Sequence, residues 1–139
     1  HALSRIDVSV KHNLPDHEDI SLKEISLDKV YNCGTFTSFA QPQWHTETEV
    51  AQLDFFRGTF DVGTTLHPVG KYWFVIPQTL NTVFTIKYFY INAGGHPVYQ
   101  ERSTKPVRTQ LEAGKNYTYE FTIGPEEVKF IQEIIDYKQ

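Results

Sequence analysis

Hydrophobic and polar residues alternate with period two through most of this chain. The plainest case is 117–123, where Tyr117, Tyr119, Phe121 and Ile123 share one face and Thr118, Glu120 and Thr122 the other. Strand side chains point alternately to the two faces of a sheet, so this segment predicts a half-buried strand. A turn at Gly124-Pro125 then leads into 128–137. There Phe130, Ile131, Ile134 and Ile135 also fit a helical spacing, but β-branched residues dominate and favour a strand. The chain opens in the same way, with Leu3, Ile6, Val8 and Val10 in a strand over 2–12.

A second strand covers 19–31. Its apolar positions slip from Ile20 and Leu22 to Ile25 and Leu27, which marks a bulge or a break at Lys23-Glu24. Asn32-Cys33-Gly34 reads as a turn. Residues 34–70 carry Pro42, Gly58, Gly63, Pro68 and Gly70 and read as a long irregular stretch, with a short strand at 50–56. Regularity returns at 72–76, stopped by Pro77-Gln78, and at 82–91, where Phe84, Ile86, Tyr88 and Tyr90 line one face. Val83, Phe89 and Ile91 line the other, which predicts partial burial on both sides. Asn92-Ala93-Gly94-Gly95 is a hairpin signal, because Asn and Gly supply the positive φ of tight turns. Return strands follow at 97–102 and 106–111. About seven or eight short strands with Gly/Pro turns and no helix predict an all-β, antiparallel β-sandwich with Greek-key links.

Composition narrows the function classes. At 139 residues the chain has the length of one domain and can bury a core without metal or disulfide staples. Ten Phe, 8 Tyr and 2 Trp suit pleated, half-buried surfaces. The net charge of -4, with scattered Lys and Arg, gives no basic patch for nucleic acid. Cys33 is the only cysteine, so an intrachain disulfide is excluded. No apolar run approaches the ~20 residues of a membrane-spanning helix.

Motifs for chemistry are weak. His12, Asp16, His17, Glu18 and Asp19 gather ligand types in one loop, but without a metal-site spacing they read as a solvated acidic turn. His45, His67 and His96 fall in loops with no G-x-S-x-G elbow, and Cys33 sits in an ordinary turn. Glu126 and Glu127 are adjacent and diverge, whereas general acid-base pairs converge across a cleft. No phosphate loop is present, and the sequon Asn116-Tyr117-Thr118 matters only in a eukaryotic secretory context. Trp44, Phe55, Phe56, Tyr72 and Trp73 are the group with binding potential: core by default, but able to stack on sugars or anchor a partner where exposed.

Four segments together carry a resemblance. They are His1-Ala2-Leu3-Ser4-Arg5-Ile6-Asp7-Val8, then Val30 to Phe36 ending in Cys33-Gly34-Thr35-Phe36, then Val75-Ile76-Pro77-Gln78-Thr79-Leu80, and Gly114-Lys115-Asn116-Tyr117-Thr118-Tyr119 followed by Val128 to Tyr137. In this order the chain resembles the fimbrillin-like proteins of Bacteroidales, which include type V pilus subunits. It departs from the pattern at Ala113, where Pro is common, and at Asp136-Tyr137, near which a Trp is common.

The resemblance implies a transthyretin-like β-sandwich spanning 1–139 as a single domain, matching the C-terminal domain of a longer lipoprotein precursor or an unusually short member. It implies an exported protein of the bacterial cell surface or outer membrane, held to the membrane only through an upstream lipid anchor. The implied role is a structural or adhesive pilus subunit, with no catalytic residues and no cofactor. Its partners would be other pilus subunits or itself, joined by strand exchange. The assembly residues are then expected in the terminal strands, at Leu3, Ile6 and Val8 and at Val128, Phe130 and Ile134. The alternative is a surface carbohydrate-binding module that contacts host or bacterial glycans through Trp44 and Trp73.

Overall fold

A computed structural model describes residues 2–31, 34–37, 43–46 and 50–136, the two short segments by their backbone alone. Thirteen strands run through the described residues. In chain order they are β1 (Ser4–His12), β2 (Ile20–Tyr31), β3 (Gly34–Thr37), β4 (Gln43–Thr46), β5 (Val50–Val62), β6 (His67–Pro68) and β7 (Trp73–Val75). β8 (Thr79–Thr82), β9 (Phe84–Ile91), β10 (Pro97–Ser103), β11 (Val107–Gln110), β12 (Lys115–Ile123) and β13 (Val128–Asp136) complete them. The last segment is a strand, as its β-branched residues require.

The strands form a sandwich. One sheet runs β13-β12-β1-β6, with β7 also on β1; the other runs β10-β9-β2-β5; β11-β8 and β3-β4 are two-stranded ribbons. Two sequence expectations need correction. The strand count exceeds seven or eight, because the described residues within 34–70 are largely sheet: β5 extends past Phe56 to Val62, and β3, β4 and β6 lie in the same stretch. The sheets are also not wholly antiparallel. The first strand pairs in parallel with the twelfth, Ile6 opposite Tyr117 and Val10 opposite Phe121. The period-two pattern of each strand is satisfied by either direction, so pairing sense was not readable from it.

The core lies where the inner faces meet. Ile6, Val8 and Val10 of β1 and Tyr117, Tyr119, Phe121 and Ile123 of β12 are buried, facing Leu22, Ile25 and Leu27 of β2 and Phe84 and Ile86 of β9. Phe84 is the hinge of this contact, its ring centroid 5.1 Å from that of Tyr119 and 4.8 Å from that of Phe121. Tilted and edge-on pairs at this distance suit the ring quadrupoles. The slip read at Lys23-Glu24 is a register shift between Leu22 and Glu24 against both neighbouring strands. By spending one residue there, β2 turns Ile25 and Leu27 back to the face that Ile20 and Leu22 line.

Two loop positions are fixed by backbone contact. Gly70 has φ +70, and a Cβ there would stand 2.0 Å from the carbonyl oxygen of Phe55. Only glycine allows this approach, which lets the neighbouring Lys71 N–H bond to that oxygen at 2.9 Å. Gln78 is buried and acts as a substitute strand. Its Nε2 donates to the carbonyls of Tyr31 and Ile76 at 2.9 and 3.0 Å, while its Oε1 accepts the Tyr31 N–H at 2.9 Å. The Pro77-Gln78 pair that stops a strand in sequence thus closes the end of β2.

Candidate assembly edge and surface side chains

The terminal strands occupy unequal places. β1 is interior, flanked by β12 on one side and by β6 and β7 on the other, and its Ile6 and Val8 are buried in the core. Leu3 precedes it half-buried, its carbonyl accepting the Gly114 N–H at 2.9 Å. β13 has one neighbour in its sheet, β12, and so ends it. Val128 is buried and Phe130 half-buried, with ring contacts to Tyr119 and Phe121. Beyond them Ile131, Ile134 and Ile135 are 64%, 48% and 50% exposed. Both faces of the outer half of β13 therefore carry exposed isoleucine. The six expected assembly residues fall into an interior strand and an edge strand, which the structure does not bring together as one surface.

Hairpin geometry tells which backbone groups of that edge are free. The turn before β13 closes with the Gly124 N–H bonded to the Glu127 carbonyl at 2.9 Å, and the register runs unbroken from Ile123 opposite Val128 to Lys115 opposite Asp136. Bonded and non-bonded pairs alternate along an antiparallel ladder. Lys129, Ile131, Glu133 and Ile135 consequently bond to β12, while Phe130, Gln132 and Ile134 turn their N–H and C=O groups outward. The strand has neither proline nor bulge; of the devices that blunt an edge it carries charges, at Lys129, Glu133 and Asp136.

The inner side of this edge is tied down by polar side chains. Gln132 Oε1 accepts from both the Tyr119 hydroxyl and the Thr109 hydroxyl, each at 2.6 Å. Burial pushes the Tyr119 phenol up to about 12, with the Thr109 contact opposing the shift. The Tyr117 hydroxyl accepts the Glu112 N–H at 2.8 Å and donates to the Gln110 carbonyl at 3.2 Å, fixing the turn between β11 and β12.

The second sheet is finished differently. Across its outer face Arg57 on β5 meets Glu24 on β2 at 2.9 Å, and Lys87 on β9 meets Glu24 at 3.3 Å and Glu101 on β10 at 3.4 Å. The two Glu partners, Glu24 first, raise the Lys87 ammonium above its ordinary value. Opposite charges on adjacent strands form a belt that links all four, and register shifts interrupt the β2-β5 ladder.

The ligand candidates are placed less openly than the sequence suggested. Trp73 is half-buried, donates its indole N–H to the Asp54 carbonyl at 2.9 Å, and has the Lys71 ammonium 4.5 Å from its ring centre. Phe55 is core and Phe56 half-buried. Among the described residues the exposed Phe, Tyr and Trp rings are Tyr31, Tyr72, Phe74 and Tyr99, of which only Tyr72 had been singled out; the Arg5 guanidinium lies 4.0 Å over it. The Trp44 and His45 side chains and Cys33 lie outside the described residues.

In the acidic loop, His12 is buried, with Nε2 2.7 Å from the Glu18 carbonyl and Nδ1 accepting the Leu14 N–H at 3.1 Å. A neutral ring protonated at Nε2 satisfies both bonds, so His12 latches the loop. His17 packs against Tyr90 instead. Among the described residues no group of three or more His, Cys, Asp or Glu side chains is placed to hold a metal.

These features define an all-β sandwich protein in which β13 is an edge strand carrying exposed isoleucine. The fimbrillin-like family model matches residues 1–136, and the chain belongs to that family. Solved structures share its fold. A fimbrial protein from Bacteroides vulgatus aligns with a TM-score of 0.65 at 13% identity, covering 99% of this chain and 55% of that one. A cell-adhesion candidate from Parabacteroides distasonis gives 0.64 at 8% identity, covering 98% and 51%, and one from Bacteroides uniformis gives 0.60 at 13%, covering 99% and 51%. The chain thus spans about half the length of these proteins. No curated protein matches it.

Proposed function

We propose that this chain is a fimbrillin-like domain, 1–139, of a non-enzymatic structural or adhesive subunit of a bacterial surface pilus. It belongs to a longer lipoprotein displayed at the outer membrane and joins its neighbours by strand exchange. Family membership over nearly the full length is one support. The observation that carries the reading is β13, an edge without proline or bulge, with outward backbone groups at Phe130, Gln132 and Ile134 and three exposed isoleucines. An incoming strand gains main-chain hydrogen bonds there, and alternate side chains set its register. β1, held between β12 and the short β6 and β7, is the strand whose replacement would open an acceptor groove in the same sheet.

The carbohydrate-binding reading draws less support, since the Trp73 ring is capped by Lys71 and its N–H is spent on Asp54. Assembly is tested at Ile134, whose side chain is exposed and whose N–H faces away from β12. Ile134→Pro removes one outward donor without touching the β12 ladder. Fibre yield from the full-length subunit, counted by negative-stain microscopy, should fall at least about tenfold while the circular dichroism of the domain is unchanged. Fibres formed at the normal rate by this variant would refute a role for the β13 edge in assembly.

A further inference from the structure

The residue order along β13 makes its edge complementary to itself. Two-fold antiparallel pairing of one copy with another sets residues of equal parity opposite each other, so each face stays on its own side. Centred on Ile131, the pairing places Ile131 against Ile131 of the second copy and Lys129 against Glu133 twice. Phe130 then meets Gln132 and Val128 meets Ile134, the residues whose N–H and C=O groups point outward. Every bonded pair of the new ladder is thus supplied by a group that β12 leaves free.

The charges select this register over its neighbours. Sliding by one pair in either direction sets Ile131 against Lys129 or against Glu133. A slide by two brings Lys129 against Lys129 or Glu133 against Glu133. Like charges directly opposite destabilise a pair of strands, whereas opposite charges and matched β-branched residues stabilise one. In the single chain Lys129 makes only a loose 3.6 Å contact with Glu127, with both side chains more than half exposed, so it is available. Ile131 is the most exposed isoleucine of the strand at 64%, and the pairing covers it.

We infer that two copies of this chain associate edge to edge through β13, in the register that pairs Lys129 with Glu133 and Ile131 with itself. The partner is a second intact sandwich with its own strands in place, so the inference does not rest on strand exchange. A copy paired in this way has its β13 edge covered and cannot offer it to an incoming strand. Edge pairing would therefore hold assembly-competent chains in check.

Sedimentation equilibrium of the 139-residue chain, with Lys129→Glu, Glu133→Lys and the double variant, tests it. The wild type should show a reversible dimer. Each single substitution turns both attractive pairs repulsive and should weaken the dimer by about tenfold or more. The double variant, which restores opposite charges in the same register, should recover most of the wild-type affinity. Both sites are exposed, and a common melting temperature confirms that folding is unaffected. A wild type that stays monomeric at all concentrations, single variants that dimerise as well as wild type, or a double variant as weak as the singles would each overturn the inference.

Discussion

β12 and β13 are neighbours in one hairpin, equal in length and both rich in β-branched residues, yet they differ sharply in burial. All four inner-face side chains of β12 from Tyr117 to Ile123 are sealed in the core, whereas β13 is exposed from Ile131 onward. The difference is one of neighbours. β12 has β1 on one side and β13 on the other, and the second sheet packs over its inner face. β13 has a single flank covered and reaches past the covering sheet. Alternation along a strand tells which side chains share a face, but the number of strands beside it decides how much that face is worth.

The largest effect should come from truncating the two strands in parallel. Phe121 is fully buried and packs its ring against Phe84 and Phe130. Phe121→Ala removes that volume between two sheets that cannot collapse onto it, and should cost about 3–5 kcal/mol in urea unfolding. Ile135→Ala on β13, measured at a concentration where the chain is monomeric, should stay within about 0.5 kcal/mol of wild type. Similar losses at the two sites would mean that Ile135 is packed in the monomer as Phe121 is, and the contrast would fail.

This contrast also marks what sequence could and could not tell. Tyr117 to Ile123, the slip at Lys23-Glu24 and the Asn92 hairpin were legible because each is a local event: a period, a lost residue, a pair of glycines. β5 was largely missed beyond Phe56. Its solvent-facing residues and the Arg57-Gly58-Thr59 stretch break the alternation, and its partner β2 compensates with register shifts that no local pattern reveals. The parallel pairing of β1 with β12 joins residues more than a hundred positions apart and has no local signature. The two terminal segments were legible as strands, but their unequal status, interior for β1 and edge for β13, follows from topology alone. Trp73 was singled out as a ring and turned out to be a hydrogen-bonded, capped one.

Gln78 sharpens the point from the other side, because a polar residue in a strand-stopping motif proves as buried as the core. Its amide satisfies both backbone groups of Tyr31 and the Ile76 carbonyl, work that a neighbouring strand does elsewhere. Gln78→Leu keeps the volume and strands these groups without partners, at about 1–3 kcal/mol for the set. The amide hydrogen of Tyr31 should then exchange at least about fivefold faster, as a loss of about 1 kcal/mol or more requires. Unchanged exchange at Tyr31 in a folded variant would show that water replaces the amide at no cost.

The smallest effect is a pH dependence located where β12 meets β13. Tyr119 is buried on β12 and bonded through its hydroxyl to Gln132 on β13, and burial holds its phenol at about 12 against an ordinary value of 10.0. An unfolded tyrosine begins to lose its proton near 10, while the folded one keeps it until about 12. Between these values the native state binds more protons than the unfolded state, so stability falls as pH rises through this window and is fully present below it. From this residue alone the loss should reach about 1.4 kcal/mol by pH 11. Tyr119→Phe starts from a lower stability, having lost the bond to Gln132, but lacks the ionisable group. Urea unfolding between pH 8 and pH 11 should therefore show the gap between variant and wild type narrowing above pH 10. A gap that stays constant to pH 11 would mean that the phenol ionises equally in both states, and that the hydroxyl between the two strands is open to water despite its burial.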